Sequence, residues 1–537
     1  MEEKGSNFSA LVLQHAQQRP DRLALVIPPE VSGADVVQEV TYGQLADRVE
    51  AFRRGLEDAG FVPGDRIVVV FPVSVDLYAL VLAIFAAGMV AVLVDMGMGL
   101  RRVLWAIEDS RAVAMVSVHR LLRWHALLPT LWPLRLVVAD HPGGLGLRPL
   151  DALRRAGPRR PALERAPDDH ALITFTSGST GRPKGADRTH GLLTAQHLAL
   201  AEHFPHRDDD IDCPCFPVVV LHDLCCGLTA VLPAVDLRAP GQVEPERVLQ
   251  QLRARRATRL TAAPAFMERL AAHMLTHDVR LPEVNSLFVG GGPVSRALCA
   301  QLTQAFPGAD AQVVYGSTEA EPMTSASMVE VRDEGGDGFL VGRPAEVAEI
   351  AVVQIDTPAP RLGPEGIAPW VVPVGALGEI VVRGPHVNQR YVDNPEADAV
   401  NKIRAEAGSV WHRTGDVGRW DERGRLWLHG RTKDAVSHDG RLHQPLAVEQ
   451  ACDALDGVRR VALIQHPRAA LLAVDFGDRG PEVDAALRRT LERFGLAGVA
   501  VHPVPFIPTD RRHNTKIDRP ALRAYVTATW WGDALPC

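Results

Sequence analysis

The stretch from Ile173 to Gly185 carries the chain's densest set of groups able to hold an anion. An apolar run that reads as a buried strand ends at Thr176. Ser177, Gly178, Ser179, Thr180 and Gly181 follow, and Lys184 closes the turn. Glycine lets backbone N–H groups approach an anion closely, hydroxyls donate to phosphate oxygens, and lysine adds charge. The spacing differs from a Walker P-loop, because Gly178 and Gly181 are only three apart and Gly185 follows Lys184 where that loop needs Ser or Thr. Taken alone, the stretch reads equally as a phosphate cradle or as an ordinary polar surface turn.

Other residues of chemical type recur at strand ends. Gly290-Gly291-Gly292-Pro293 follows a strand at Ser286–Val289, where backbone can lie close to a flat ligand. Tyr315-Gly316-Ser317-Thr318-Glu319 offers an aromatic face, two hydroxyls and a carboxylate after a strand at Gln312–Val314. Asp416, in Trp411-His412-Arg413-Thr414-Gly415-Asp416, places a carboxylate at a turn, suited to a pair of sugar hydroxyls. Arg431 adds a cation, and Lys516 stands in the polar loop Pro508–Ile517. Each also has a bland reading, as a turn, a core tyrosine, a turn cap or solvated surface. His222 and Asp223 lie between Cys213-Pro214-Cys215 and Cys225-Cys226, a spacing that fits no zinc pattern and reads as buried free thiols.

These groups need a large scaffold. At 537 residues, length alone implies about three to four domain-sized units. The 46% hydrophobic and 23% charged content is that of a soluble globular protein, and a net charge of -7 argues against broad nucleic-acid binding. Seven cysteines and no leader after Met1 point to a reducing cytoplasm. Lysine is scarce beside arginine, which reads as compositional bias. The uncharged run Leu77–Val94 reads as a buried helix (Leu77–Ala87) and a buried strand (Val90–Val94) around Gly88, not as a membrane span.

Along the chain, helix and strand signals alternate. Ser9–Gln18 is an amphipathic helix, and Thr41-Tyr42-Gly43-Gln44 is a capping box for one that ends at Ala59-Gly60. Strands at Arg66–Phe71 and Met115–Val118 bracket a helix at Arg102–Ala112. Gly157–Asp169 reads as a linker. A helix from Gly191 to Phe204 is followed by an extended run at Asp212–Val220, and a further helix begins near Asp223. Pro245–Arg256 is helical and Arg259–Ala263 a strand. This rhythm predicts an α/β fold with mostly parallel sheets. Beyond Thr324, alternation at Val347–Ile355, Glu379–Arg383 and Gly424–His429 predicts a smaller antiparallel unit. The last segment of about 100 residues reads as an independent α+β unit, with a helix at Val483–Phe494.

The motifs TSGSTGRPKG, GGGP, YGSTE, RTGD and GRTKD and the C-terminal lysine, in this order, resemble those of the adenylate-forming superfamily of acyl-CoA synthetases, adenylation domains and luciferases. The resemblance covers nearly the whole chain. It implies a large N-terminal domain (1–433) binding ATP and a carboxylic acid, a hinge near Asp434, and a small mobile domain (434–537). It implies that Thr176–Lys184 hold the ATP phosphates and that Gly290–Pro293 line the adenine pocket. Tyr315 would stack on adenine beside Gly316, Ser317 and Thr318. Glu319 and Thr176 would hold Mg²⁺, Asp416 the ribose hydroxyls, and Arg431 the nucleotide. Lys516 would be the adenylation lysine, and His222 and Asp223 would face the acid, with His222 equally readable as a core histidine.

Within that superfamily the chain resembles the β-lactone synthetase subgroup of bacterial olefin biosynthesis, above all in Arg512-His513-Asn514-Thr515-Lys516-Ile517. That implies a fatty 2-alkyl-3-hydroxy acid as substrate, closure by its own β-hydroxyl, and pathway-enzyme partners. The region expected to receive coenzyme A departs from the pattern of ligases that use it: Asp434–Arg441 lacks an aromatic, and Ala447 stands where a glutamate is expected. Against the lactone subgroup, His222 precedes Asp223 where that subgroup has an aromatic and acyl-CoA synthetases often have a histidine. The alternative is a carboxylate:CoA ligase or carrier-protein loader.

Overall fold

A computed structural model of the chain describes residues 7–94, 98–140, 147–176, 182–355, 362–363, 365–405, 408–477, 479–509 and 516–530. Ser177, Gly178, Ser179, Thr180 and Gly181, and the run from Arg512 to Thr515, lie outside the described residues.

A seven-stranded sheet runs in the order Arg148–Pro149, Arg135–Val138, Ala114–Ser117, Arg66–Val70, Val90–Val94, His170–Thr176, Lys184–Thr189. All neighbours are parallel except the last pair, whose register sets Thr176 opposite Lys184. The glycine-rich stretch therefore joins two antiparallel strands, whereas a P-loop leads from strand into helix. The uncharged run divides as its composition predicts. Ser74 caps the helix Val75–Ala86 by accepting the Leu77 N–H at 3.2 Å, Gly88 turns the chain at φ +72°, and Val90–Val94 enters the sheet. Among the described residues no helix is long and apolar enough to cross a membrane.

The second sheet has 14 strands. Leu23–Ile27, Thr229–Val231, Ile211–Pro214, Arg259–Ala262, Ser286–Gly290 and Asp310–Ser317 lie parallel in that order. From Asp310–Ser317 onward every pairing is antiparallel, through Ala320–Ser327, Phe339–Pro344, Leu426–Arg431, Val410–Trp420, Gly378–Arg383 and Glu349–Val353. The antiparallel strands are thus hydrogen-bonded to the parallel sheet, first by Ala320–Ser327 pairing with Asp310–Ser317 and then across Thr324↔Pro344 and Ser325↔Arg343.

Two expectations change in detail. The run 212–220 is a strand, Ile211–Pro214, then a helix, Pro217–Cys226. Its three valines read as β, but Pro217 stands in the first helical turn, where its fixed φ favours a helix start. The linker 157–169 forms no regular element, yet it is strapped down. Arg160 bonds Glu50 and Glu57, at 2.6 and 2.8 Å, while Arg53 donates to the Pro161 carbonyl at 2.6 Å.

From Val436 onward the chain has its own hairpin, a three-stranded sheet and helices Pro445–Asp453, Pro481–Arg493 and Arg519–Thr529. Alternate residues of its strands feed two cores, Val461, Leu463, Leu472 and Val474 on one face and Ala462, Ile464, Leu471 and Ala473 on the other. Both cores draw only on residues after 435.

Candidate active site

The chemical groups gather where parallel strands end, the usual site of ligand binding in open α/β sheets. Gly290 closes the strand Ser286–Gly290, and a Cβ there would lie 2.6 Å from the Val314 carbonyl oxygen, so only glycine fits. Gly291 turns at φ +80°, and Gly292-Pro293 leads to a helix capped by Ser295. On the adjacent strand, Tyr315 is 8% exposed and donates its hydroxyl to Asp416 Oδ2 at 2.7 Å. The other carboxylate oxygen faces Arg431 Nε at 3.0 Å, with Asp416 and Arg431 directly opposite across two strands. Burial, the Asp416 charge and the hydrogen bond push the Tyr315 hydroxyl up, and Asp416 holds Arg431 more firmly protonated. Residues more than 100 positions apart thus form one charged clamp beside the glycine turn.

A second group forms around Glu319, in the Thr318-Glu319 turn that follows the strand Asp310–Ser317. Tyr391 donates its hydroxyl to Glu319 Oε1 at 3.1 Å, and the Asn388 N–H donates to the Glu319 carbonyl at 2.7 Å. Lys184 Nζ lies 5.5 Å and Lys402 Nζ 5.1 Å from the centre of the Tyr391 ring. Lys402 is 3% exposed and donates to the Asn388 carbonyl, with His412 Nδ1 at 3.3 Å. Burial pushes the Lys402 ammonium down to about 7, against the opposing pull of Glu319 and Asp398. Burial also lowers Lys184, with Glu319 pulling it back. Arg188 donates to the Thr318 carbonyl at 2.7 Å and fixes the turn from below. Glu319 also favours the charged form of Arg431, so the two groups share one field. Among the described residues the Ser317 hydroxyl is buried without a hydrogen-bond partner.

A match to the AMP-binding enzyme family spans residues 12–392, well over half of the chain. The chain belongs to that family. This AMP-binding enzyme is 34% identical to an olefin beta-lactone synthetase of Stenotrophomonas maltophilia, over 97% of this chain and 98% of the relative. It is 31% identical to an olefin beta-lactone synthetase of Xanthomonas campestris pv. campestris, over 96% of each. Its fold matches the O-succinylbenzoate coenzyme A synthetase of Bacillus subtilis in complex with ATP and magnesium ion, with a TM-score of 0.75 at 19% identity, covering 96% of this chain and 99% of that one. Adenylate-forming ligase chemistry and the α/β fold follow from these findings.

The remaining residues of the AMP-binding enzyme separate from these clusters. His222 and Asp223 stand in the last turns of helix Pro217–Cys226 and, among the described residues, make no hydrogen bond to Glu319 or Asp416. His222 Nδ1 pairs with His197 Nδ1 at 3.1 Å, its Nε2 lies 3.5 Å from Cys226 Sγ, and burial keeps both rings neutral. Asp223 is buried beside Asp212, and burial pushes both carboxyls up. Lys516 is exposed, in a loop closed by a bridge between Thr509 and Ile517. Arg519 holds Asp434 at 3.5 Å and both oxygens of Glu449 at 2.8 Å.

Sequence reading missed Tyr391, Lys402, Asn388, Arg188 and His197. One signal was available for Lys402. The chain holds only five lysines, against its many arginines. Arginine cannot give up its proton and presents a planar fork, so a retained lysine marks a place where a compact, tunable ammonium is needed. Tyr391 and Asn388 gave no local signal, because only the fold carries them to Glu319.

Proposed function

We propose that the enzyme activates a 2-alkyl-3-hydroxy carboxylic acid with ATP and Mg²⁺ and closes it to a β-lactone. In the first step the carboxylate attacks the α-phosphorus of ATP and the bond to pyrophosphate breaks, giving an acyl-adenylate. In the second the substrate's β-hydroxyl oxygen attacks the acyl carbon, the bond to AMP breaks, and the hydroxyl proton leaves to solvent or base. Such internal attack needs only an oriented chain, and orientation is worth about 7–11 kcal/mol. The observation that carries the adenylation reading is the Tyr315–Asp416–Arg431 clamp set beside the Lys184–Tyr391–Lys402–Glu319 group. The first suits a nucleoside monophosphate and the second a polyphosphate.

The donor set fits ATP and Mg²⁺. Asp416 keeps lone pairs for ribose hydroxyls, and the turn at Gly290–Pro293 has no side chain at Gly290 to obstruct adenine beside Tyr315. Lys184, Lys402 and Arg431 supply positive charge, and Glu319 together with Thr176 would hold the metal. Bound there, Mg²⁺ would neutralise charge on the phosphate oxygens. Ser177, Gly178, Ser179, Thr180 and Gly181 would wrap the phosphates. Gly316, Ser317 and Thr318 would border the α-phosphate, where the Ser317 hydroxyl, without a partner among the described residues, would donate. Lys516 would reach this site when residues 434–537 swing about Asp434, and His222 and Asp223 would bound the acyl chain.

The lactone step is supported by the two near-full-length relatives, both named olefin beta-lactone synthetases, and by the region expected to meet coenzyme A. Ala447 replaces the expected glutamate, and Glu449 is committed to Arg519. Product analysis with and without coenzyme A tests the reading; formation of a thioester only would replace it with a ligase.

A further inference from the structure

Between the strands Ala114–Ser117 and Arg135–Val138 the chain makes an excursion that the chemistry above does not use. It consists of one helical turn, His119–Leu122, and two 3₁₀ turns, His125–Leu127 and Pro129–Leu131. Leu122 and Leu131 anchor it, at 0% and 1% exposure, in the core beneath the seven-stranded sheet. Its inward faces are therefore already filled. Trp124, Leu127 and Trp132 point the other way, at 51%, 71% and 66% exposure. Large apolar side chains left outside after the core is filled are costly to keep in water unless something covers them.

The excursion is a built surface. The Trp132 indole N–H donates to the His125 carbonyl at 3.2 Å, and the Leu127 N–H to the Trp124 carbonyl at 2.9 Å. The first bond ties the Trp132 indole to the turn, and the second joins the backbones of Trp124 and Leu127. The Arg123 guanidinium lies over the Trp124 ring at 5.2 Å, and Arg120 is exposed one helical turn earlier. The excursion itself, His119 to Trp132, has two arginines and two histidines and no Asp or Glu, in a chain with 65 acidic residues, with Asp140 accepting the His119 N–H at 2.6 Å at its edge. The chain as a whole carries a charge of -7, so this face opposes the sign of the molecule.

We propose that this face docks the enzyme on an anionic lipid bilayer, with Trp124, Leu127 and Trp132 entering the interface and Arg120 and Arg123 meeting the headgroups. Indoles prefer the boundary between headgroups and acyl chains, arginines beside them pair with anionic headgroups, and neither needs a spanning helix. An acidic protein surface would match the arginines, but would need acceptors shaped to two indoles. A bilayer accommodates both without shape. The proposal is independent of which acid the active site takes.

Co-flotation of the full chain with vesicles tests it. Phosphatidylglycerol–phosphatidylcholine vesicles carry the wild-type protein, pure phosphatidylcholine vesicles carry little, and raised salt weakens the binding. Arg120→Gln with Arg123→Gln lowers partitioning about thirtyfold, since each cation near an anionic surface is worth about fivefold. Trp124→Ala with Trp132→Ala abolishes it, and the milder Leu127→Glu weakens it, while pyrophosphate release with a short water-soluble acid stays unchanged in all three. Equal flotation of wild type and variants overturns the proposal. So does failure to float on anionic vesicles, whether the face then proves to bind a protein partner or a second copy of the chain, seen as a complex in sedimentation that the tryptophan variant loses.

Discussion

Replacing Lys402 by Met should make the protein more stable and less active. Lys402 keeps a side chain of similar reach in that variant but loses its ammonium. Displacement of its proton affinity from 10.5 to about 7 by burial corresponds to about 5 kcal/mol of bias against the charged form. The variant forfeits the bond to the Asn388 carbonyl, about 1.5–3 kcal/mol for a charged donor. The net expectation near pH 6 is a gain of roughly 2–3 kcal/mol in unfolding free energy. The folded protein releases this proton near 7, whereas the unfolded chain keeps it to about 10.4. Across that window the unfolded state binds more protons, so wild-type stability rises with pH and the advantage of the variant shrinks by about 3 kcal/mol toward pH 9.5. Chemical denaturation at both pH values reads this directly. Activity goes the other way. Without Lys402 the Tyr391 ring loses one of its two flanking cations, and the hydroxyl that positions Glu319 loses its support. Pyrophosphate release should fall about 10–100-fold, the usual cost of losing an outer partner of a metal ligand. A variant that is destabilised equally at both pH values, or that keeps full activity, would refute this account of why a lysine is buried there.

Three further outcomes are expected. Lys516→Ala loses about 10²-fold or more in pyrophosphate release while ATP binding, followed by calorimetry, changes little. Glu319→Gln weakens the apparent Mg²⁺ dependence at every working pH; a shift of one limb of the pH–rate profile with Mg²⁺ dependence intact would instead mark Glu319 as a base. Asp434→Pro, which fixes the backbone at the proposed hinge and frees Arg519 from one carboxylate, lowers overall turnover more than the isolated adenylation step, and equal losses in both would argue against a swinging domain.

How legible the molecule was depended on whether its constraints were local. The helix after Thr41 and the division of the uncharged run at Gly88 rest on neighbouring residues, and sequence showed both. Gly290, Tyr315, Asp416 and Arg431 were legible as motifs, although sequence could not show that Tyr315 and Asp416 bond to each other. The valines before His222 read as strand because β-branched residues favour extended chain, and Pro217 outweighed them as a helix start. The step from the strand Ala320–Ser327 to Phe339–Pro344 rests on two residue pairs about 20 positions apart, Thr324 with Pro344 and Ser325 with Arg343, and carries no pattern of its own. Lys402 and Tyr391 reach Glu319 only through pairing of strand Lys402–Arg404 with Val410–Trp420 and the bridge between Ala186 and Tyr391. Contacts of that kind belong to topology, which periodicity does not report.

Mass analysis of the product from a 2-alkyl-3-hydroxy acid and from its 3-deoxy analogue, each with ATP and Mg²⁺ and with or without coenzyme A, tests the central claim most directly. The hydroxy acid should yield AMP, pyrophosphate and a product lighter than the acid by one water, and coenzyme A should not change it. The deoxy acid should stop at the adenylate or hydrolyse slowly, because its internal nucleophile is gone. Rapid turnover of the deoxy acid to a thioester, only when coenzyme A is present, would contradict the claim.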